Sequence, residues 1–199
     1  MAYYFGIDLG GTNIAAAAVD EEGRILGRGH RPTPRTGPED VADGMAEAVR
    51  EAAGRAGVEV EGAAGIGLGS PGTVDPERGL IRYWSNLDFK DVPIAGLLER
   101  RLGRAVDLEN DANAAALGEY AAGAGKGSQS LVLVTLGTGV GSGAVLNGKL
   151  YTGFNYAGME AGHMVIEHGG RPCTCGRRGC FEAYCSATAL IKRPREVMQ

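Results

Sequence analysis

The run Asp8-Leu9-Gly10-Gly11-Thr12-Asn13 lies between two short apolar segments, residues 3–9 before it and 14–19 after it. Apolar runs joined by a glycine pair read as a β-hairpin. An acid closing the first strand, two glycines and a hydroxyl also make a phosphate cradle. Amides in such a turn can donate to phosphate oxygens, Thr12 can add its hydroxyl, and Asp8 can hold a hydrated magnesium ion. Taken alone, a hairpin turn without ligand is the commoner meaning. Thr135-Leu136-Gly137-Thr138-Gly139-Val140-Gly141 changes that balance, because a second glycine-rich hairpin turn opens the later part of the chain.

Outward from the first turn, Glu21-Glu22-Gly23 reverses the chain again and residues 24–31 make a third strand. A proline-rich link over 31–38 leads to Val41, Met45, Ala48, Val49 and Ala52, which recur at helical spacing through Ala56. Residues 63–68 read as a buried strand, 92–102 as a helix, 105–108 as a strand and 113–122 as an alanine-rich helix. Three strands followed by helix, strand, helix, strand and helix predict an α/β fold, a mixed sheet covered by helices. Residues 130–136 restart the pattern with a strand, a glycine turn and a second strand over 142–146. The expected organisation is therefore a first lobe over 1–122 and an incomplete second lobe over 123–199, entered through the glycine-rich link 123–127. A helix-like stretch begins at Ala183, with a kink expected at Pro194.

Composition narrows the function class. The net charge is −4, with 24 acidic against 20 basic residues and no basic block, so there is no electrostatic footprint for nucleic acid or a membrane surface. No apolar run approaches the roughly 18 residues that span a bilayer, and 3–9 is too short for a signal core. A cytoplasmic location is expected. The 34 glycines cluster at turns after apolar runs, where they let backbone approach a ligand. Two lookalike motifs fail on context. Gly67-Leu68-Gly69-Ser70-Pro71-Gly72 fits a dinucleotide pattern, but turn residues rather than a helix follow it. Lys126-Gly127-Ser128 resembles part of a P-loop without its leading glycine.

His163, Cys173, Cys175 and Cys180 spell H-x9-C-x-C-x4-C, a donor set for tetrahedral zinc. Four such donors leave no place for water, so the site is expected to be structural. Gly176 and Gly179 fall inside the last loop, where a chain wrapping a metal needs glycine backbone angles. Disulfides are the alternative, disfavoured by the absence of a secretory pattern and by the bunching of all cysteines between Cys173 and Cys185. Cys185, in a helix-like stretch, is left out of the set.

Acids and amides complete the candidate list. Glu109-Asn110-Asp111-Ala112-Asn113 ends a strand and opens a helix, with Asn110 or Asp111 as the cap. Capping accounts for any one of these residues; the functional reading makes Asp111 a carboxylate at a strand's carboxyl end, able to take the proton of an attacking alcohol. Glu160 precedes His163 by three residues and Glu182 follows Cys180 by two. With one imidazole nitrogen on a metal, the other carries a proton and needs an acceptor, so His163 can link the metal to a ligand hydroxyl.

Together, residues 8–13, Glu109-Asn110-Asp111, 135–141, Glu160 to His163 and the segment 173–182 resemble the ROK family of sugar kinases and repressors, with its bacterial glucokinases nearest. The resemblance implies an actin-like ATPase (ribonuclease H-like) fold, in which opposed phosphate-binding hairpins of two lobes grip a nucleotide. It implies transfer of the terminal phosphate of ATP to the 6-hydroxyl of a hexose, glucose first, with Mg2+ and a structural Zn2+. By that resemblance Asp111 is the general base, and Asn86, Asn110, Asp111, Glu160, His163 and Glu182 hold sugar hydroxyls. Gly10, Gly11, Thr12, Asn13, Gly137, Thr138 and Gly139 hold phosphates, with Asp8 near the metal. Family members run on for roughly another domain's worth of chain, 100 residues or more, so a truncated product is expected, with a homodimer as the full-length form. The alternatives are a kinase for an N-acetylated hexosamine or fructose, a zinc-containing sugar-binding fragment without catalysis, and a sugar-responsive repressor. The last would need a DNA-binding segment before the first turn, and the first strand begins at Tyr3.

Overall fold

Alternation of apolar and small residues in the first hairpin sets up a sheet with one face committed to a core. In the computed structural model, which describes residues 2–84 and 87–197, β1 (Tyr3–Leu9), β2 (Asn13–Asp20) and β3 (Ile25–Pro32) run antiparallel. The helix α1 (Pro38–Ala56) follows, and then β4 (Gly65–Ser70) pairs parallel with β1. A three-stranded sheet comes next, made of β5 (Thr73–Asp75), β6 (Leu80–Trp84) and β7 (Phe89–Val92). After α2 (Ile94–Leu102), β8 (Asp107–Asn110) joins β4 in parallel, completing the order β3-β2-β1-β4-β8.

Phe5, Ile7 and Leu9 point from β1 into the core, where Val41, Met45, Val49 and Ala52 of α1 meet them. Helix α1 begins with Pro38, has Glu39 and Asp40 in its first turn and ends at Gly57 in the left-handed conformation, φ 69°. Each feature suits the helix end it occupies. Glycine is required where the helix lies on β3: a Cβ at Gly27 or Gly29 would overlap the backbone of Ala52 or Ala48.

The helix α3 (Asp111–Ala121) leads to β9 (Leu131–Leu136), β10 (Val140–Leu146) and β11 (Lys149–Leu150), a three-stranded sheet in the order β11-β10-β9. Two helices, α4 (Glu182–Cys185) and α5 (Ala187–Val197), lie near the carboxyl end. The chain divides into two compact units, Met1–Ala114 and Ala115–Gln199, the division falling inside α3.

The sequence reading departs from this structure in defined places. The sheet β5-β6-β7 stands where turns were expected; its strands are short, yet they bury Val74, Ile81, Trp84 and Phe89, with the two aromatic rings edge to face at 5.7 Å. Val92 closes β7 opposite Ile81, so α2 starts only after Pro93. The strand expected over 105–108 lies two residues later, which makes Asn110 its last residue, paired with Ser70. The break near the carboxyl end falls at extended Ser186 (φ −71°, ψ 158°), and α5 continues through position 194. Strand β5 follows Gly72, so no helix amino terminus serves the dinucleotide-like run. Among the described residues no helix is long and apolar enough to cross a membrane.

Candidate functional site

In the first unit, Asp8 and Asp111 come together at the carboxyl ends of parallel strands. Asp8 pairs with Gly69, and Gly69 pairs with Glu109, so the β1, β4 and β8 ends stand level. Gly69 has no side chain to separate them; a Cβ there would touch Asp111 Cα at 3.6 Å and the Ile7 carbonyl oxygen at 3.6 Å. Asp8 is exposed at the strand end, yet the protein packed around its carboxyl withholds part of its hydration. This burial first, and the nearby Asp111 carboxylate second, raise its pKa above the usual carboxylate range.

The cap of α3 is Asn110. Its Oδ1 accepts from the Ala112 and Asn113 amides at 3.0 and 3.2 Å, and its Nδ2 donates to Gly72 O at 3.3 Å. Asp111 Oδ1 accepts from Ala112 N at 2.8 Å. Glu109 Oε1 receives both the Asn110 amide (2.8 Å) and Asn113 Nδ2 (3.0 Å). The segment 109–113 is therefore fixed by its own side chains, which aims Asp111 outward at the first position of the helix.

The first glycine turn closes through Gly10 N to Asn13 O at 2.9 Å, and a Cβ on Gly10 would meet that oxygen at 2.8 Å. Thr12 and Asn13 are exposed at its tip, with Asn13 Nδ2 donating to Thr12 Oγ1 at 3.1 Å. Thr33, which the sequence reading missed, pins the turn from just past the end of β3: its hydroxyl donates to Gly10 O at 2.7 Å and its amide to Thr12 O at 2.9 Å. Nothing local to Thr33 signals this. Asn86 lies outside the described residues.

In the second unit, Gly137, Thr138 and Gly139 form the tip between β9 and β10, closed by Gly137 N to Gly139 O at 3.0 Å. Glu182 accepts the Val140 amide at 3.0 Å on Oε2 and the Thr174 hydroxyl at 3.1 Å on Oε1. Glu160 is exposed and precedes the short 3-10 turn Ala161–His163. Buried Ser142 holds that turn to β10 by donating to Met159 O and accepting Ala161 N at 3.0 Å. A Cβ on Gly162 would overlap the Val140 carbonyl. Ser142 was also missed, for the same reason as Thr33.

His163, Cys173, Cys175 and Cys180 gather as expected, all donor atoms lying within 4.8 Å of one another. The cysteines are free thiols, and Cys175 Sγ and Cys180 Sγ are 3.7 Å apart, far beyond a disulfide bond. Cys173 Sγ lies 3.7 Å from His163 Nδ1. A tetrahedral zinc with Zn–S near 2.3 Å has S···S edges of about 3.8 Å, so the donor geometry fits that ion. Nδ1 is the imidazole nitrogen turned toward the thiols. Exposed Cys175 is held down to about 6 by the Arg177 amide and guanidinium, while burial pushes Cys180 up to about 11. Cys185 lies outside the group.

Comparison with known proteins places the chain in a family. The ROK family matches residues 4–198. A glucokinase of Thermotoga maritima is 45% identical over 193 residues, 96% of this chain and 59% of that protein. The crystal structure of a ROK hexokinase from Thermus thermophilus superposes with a TM-score of 0.86 at 43% identity, covering 99% of this chain and 64% of that one. A ROK family glucokinase from Streptomyces griseus, crystallised in complex with glucose and AMPPNP, gives a TM-score of 0.85 at 40% identity, covering 98% and 61%. The chain thus spans about three fifths of the length of these relatives. The α/β fold is the actin-like ATPase type expected from the paired hairpins, and the chain belongs to the ROK family.

Proposed function

We propose that this protein phosphorylates the 6-hydroxyl of glucose with ATP as donor. The observation that carries the reading is the Asp8 and Asp111 pair at the level ends of parallel strands, with Asp111 held at the start of α3. Likeness to a glucokinase bound to glucose and AMPPNP supports the choice of sugar and donor.

Phosphoryl transfer asks a protein for alignment, charge neutralisation and a base at the hydroxyl. Asp111 takes the proton of the 6-hydroxyl as that oxygen bonds to the γ-phosphorus; the bond from phosphorus to the β,γ-bridging oxygen breaks, and ADP leaves with those electrons. Asn110 holds a sugar hydroxyl from the same turn. Two neighbouring carboxylates suit a divalent cation, and Asp8 is the residue to hold Mg2+, which supplies neutralisation of phosphate charge. In each unit a glycine turn offers backbone amides to phosphate: Gly10, Gly11, Thr12 and Asn13 in the first, Gly137, Thr138 and Gly139 in the second. Glu160, His163 and Glu182 are the hydroxyl-binding residues of the second unit, and His163, Cys173, Cys175 and Cys180 hold a structural Zn2+.

A coupled assay with ATP, Mg2+ and a panel of glucose, N-acetylglucosamine and fructose, run beside calorimetric titration of each sugar, tests this. Turnover highest on glucose is expected. Glucose binding with no phosphate transfer would replace the proposal by a non-catalytic sugar-binding module, and higher turnover on another hexose would reassign the substrate.

A further inference from the structure

The β9–β10 turn is gripped by one stretch of chain, and that stretch begins in the metal clasp. Glu182 Oε2 accepts the Val140 amide at 3.0 Å, Gly137 O accepts the Ala187 amide at 2.8 Å, and Thr138 O accepts the Thr188 hydroxyl at 2.8 Å. A Cβ on Gly139 would overlap the Glu182 carboxylate, so turn and acid are in direct contact. On its other side Glu182 Oε1 accepts the Thr174 hydroxyl at 3.1 Å and lies 3.8 Å from Cys173 Sγ. Cys180, two residues before Glu182, is fully buried, and its carbonyl accepts the Ala183 amide at 3.0 Å. The Phe181 amide donates to Met164 O at 2.9 Å, next to the ligand His163.

We propose that Thr174 and Thr188 are positioning residues and that Glu182, besides its place at the sugar, carries the order of the metal clasp to the β9–β10 turn, so that metal occupancy and phosphate binding at that turn are linked. The phosphate half of this inference rests on the reading of Gly137 to Gly139 given under Proposed function. The clasp loop has little apolar packing of its own and closes on short hydrogen bonds, Cys173 N to Arg177 O at 2.8 Å and Gly176 N to Cys173 O at 3.0 Å. A loop of that kind takes its order from the ion it wraps. The Thr174 hydroxyl orients Glu182 Oε1 from within the clasp loop. The carboxylate then presents Oε2 to Val140, and Thr188 secures the next carbonyl along. By linkage, phosphate held on the turn strengthens metal binding by the same factor that metal strengthens phosphate binding.

Amide hydrogen exchange on this protein, zinc-loaded and stripped by chelator, reads the coupling without any activity measurement. Stripping is expected to speed exchange at Val140 and Ala187 about tenfold or more while Gly143, paired with Leu133 in the middle of β10, stays protected. In zinc-loaded protein, Thr188→Val and Thr174→Val should each speed Val140 exchange on the order of fivefold with zinc content unchanged, the effect of one lost hydrogen bond. Val140 exchange indifferent to stripping overturns the proposal. Should stripping also expose Gly143, the loaded variants decide, and unchanged Val140 exchange in both overturns it. Titration with inorganic tripolyphosphate separates the two readings: coupled exchange without tripolyphosphate binding refutes the phosphate assignment and leaves the metal-to-turn coupling standing.

Discussion

Replacing each glycine of the metal loop by alanine separates two costs that look identical in the sequence. Gly176 and Gly179 both sit at positive φ, 86° and 80°. A Cβ at Gly176 would meet nothing within 4 Å, so Gly176→Ala carries only the left-handed backbone penalty of about 1–2 kcal/mol. At Gly179 the same atom would overlap the Glu167 carbonyl and approach Val165 Cγ1 at 3.3 Å. The Glu167 backbone must then move. Its movement breaks into the bonds that tie Gly179 O to the Ile166 and Glu167 amides, at 2.8 and 3.3 Å. Two lost bonds at about 1 kcal/mol each bring the cost to about 3–4 kcal/mol. Because the clasp orders around its ion, these costs appear as metal affinity. Zinc binding should weaken on the order of 10-fold in Gly176→Ala and 10²- to 10³-fold in Gly179→Ala. Competition titration against a chromophoric chelator measures both. Equal affinities in the two variants would refute the reasoning, since they would mean that the Glu167 contact does not exist in solution.

Asp111→Asn should retain sugar binding by calorimetry and lose about 10²- to 10⁴-fold in turnover, the usual contribution of a general base; near-normal turnover would remove Asp111 from that role. Asp8→Asn should be stabilising at neutral pH. A carboxyl whose folded pKa is raised penalises the folded state when ionised, so the gain is present above the folded pKa and absent below the unfolded value of about 3.9. Melting curves at pH 7 and pH 3 check this, and an equal gain at both would contradict it. Asp20 shows the opposite sign. Burial works to raise its pKa, but the Arg24 side chain and the Arg24 and Glu22 amides outweigh it and hold the carboxyl low. Its stabilisation is present above about pH 3.9 and is lost as pH falls through the folded pKa, so Asp20→Asn should flatten the acid limb of the stability profile.

Much of the site was legible because its signals are local. The four residues that could hold a metal lie within one short stretch, and their spacing sufficed to pick out the group that gathers in space, without Cys185. The two glycine turns announced themselves by the apolar strands on either side. Asn110 was one of two candidate caps, and the amide geometry at Ala112 and Asn113 selects it. The sheet β5-β6-β7 escaped notice because strands of three to five residues show no usable period. It exists because Trp84, Phe89 and Ile81 find a common core.

By itself the sequence determined the chemistry on offer: which residues can bind metal, which turns can bend without side chains, and which helices have one apolar face. Those properties depend on residue type and on neighbours a few positions away. Tertiary structure alone decided that Thr33 reaches back to Gly10, that Asp8 feels Asp111, and that Glu182 closes on the Val140 amide. Such contacts join residues far apart in the chain, and sheet register and the folding of the metal loop, rather than spacing, bring them within hydrogen-bonding or Coulombic range.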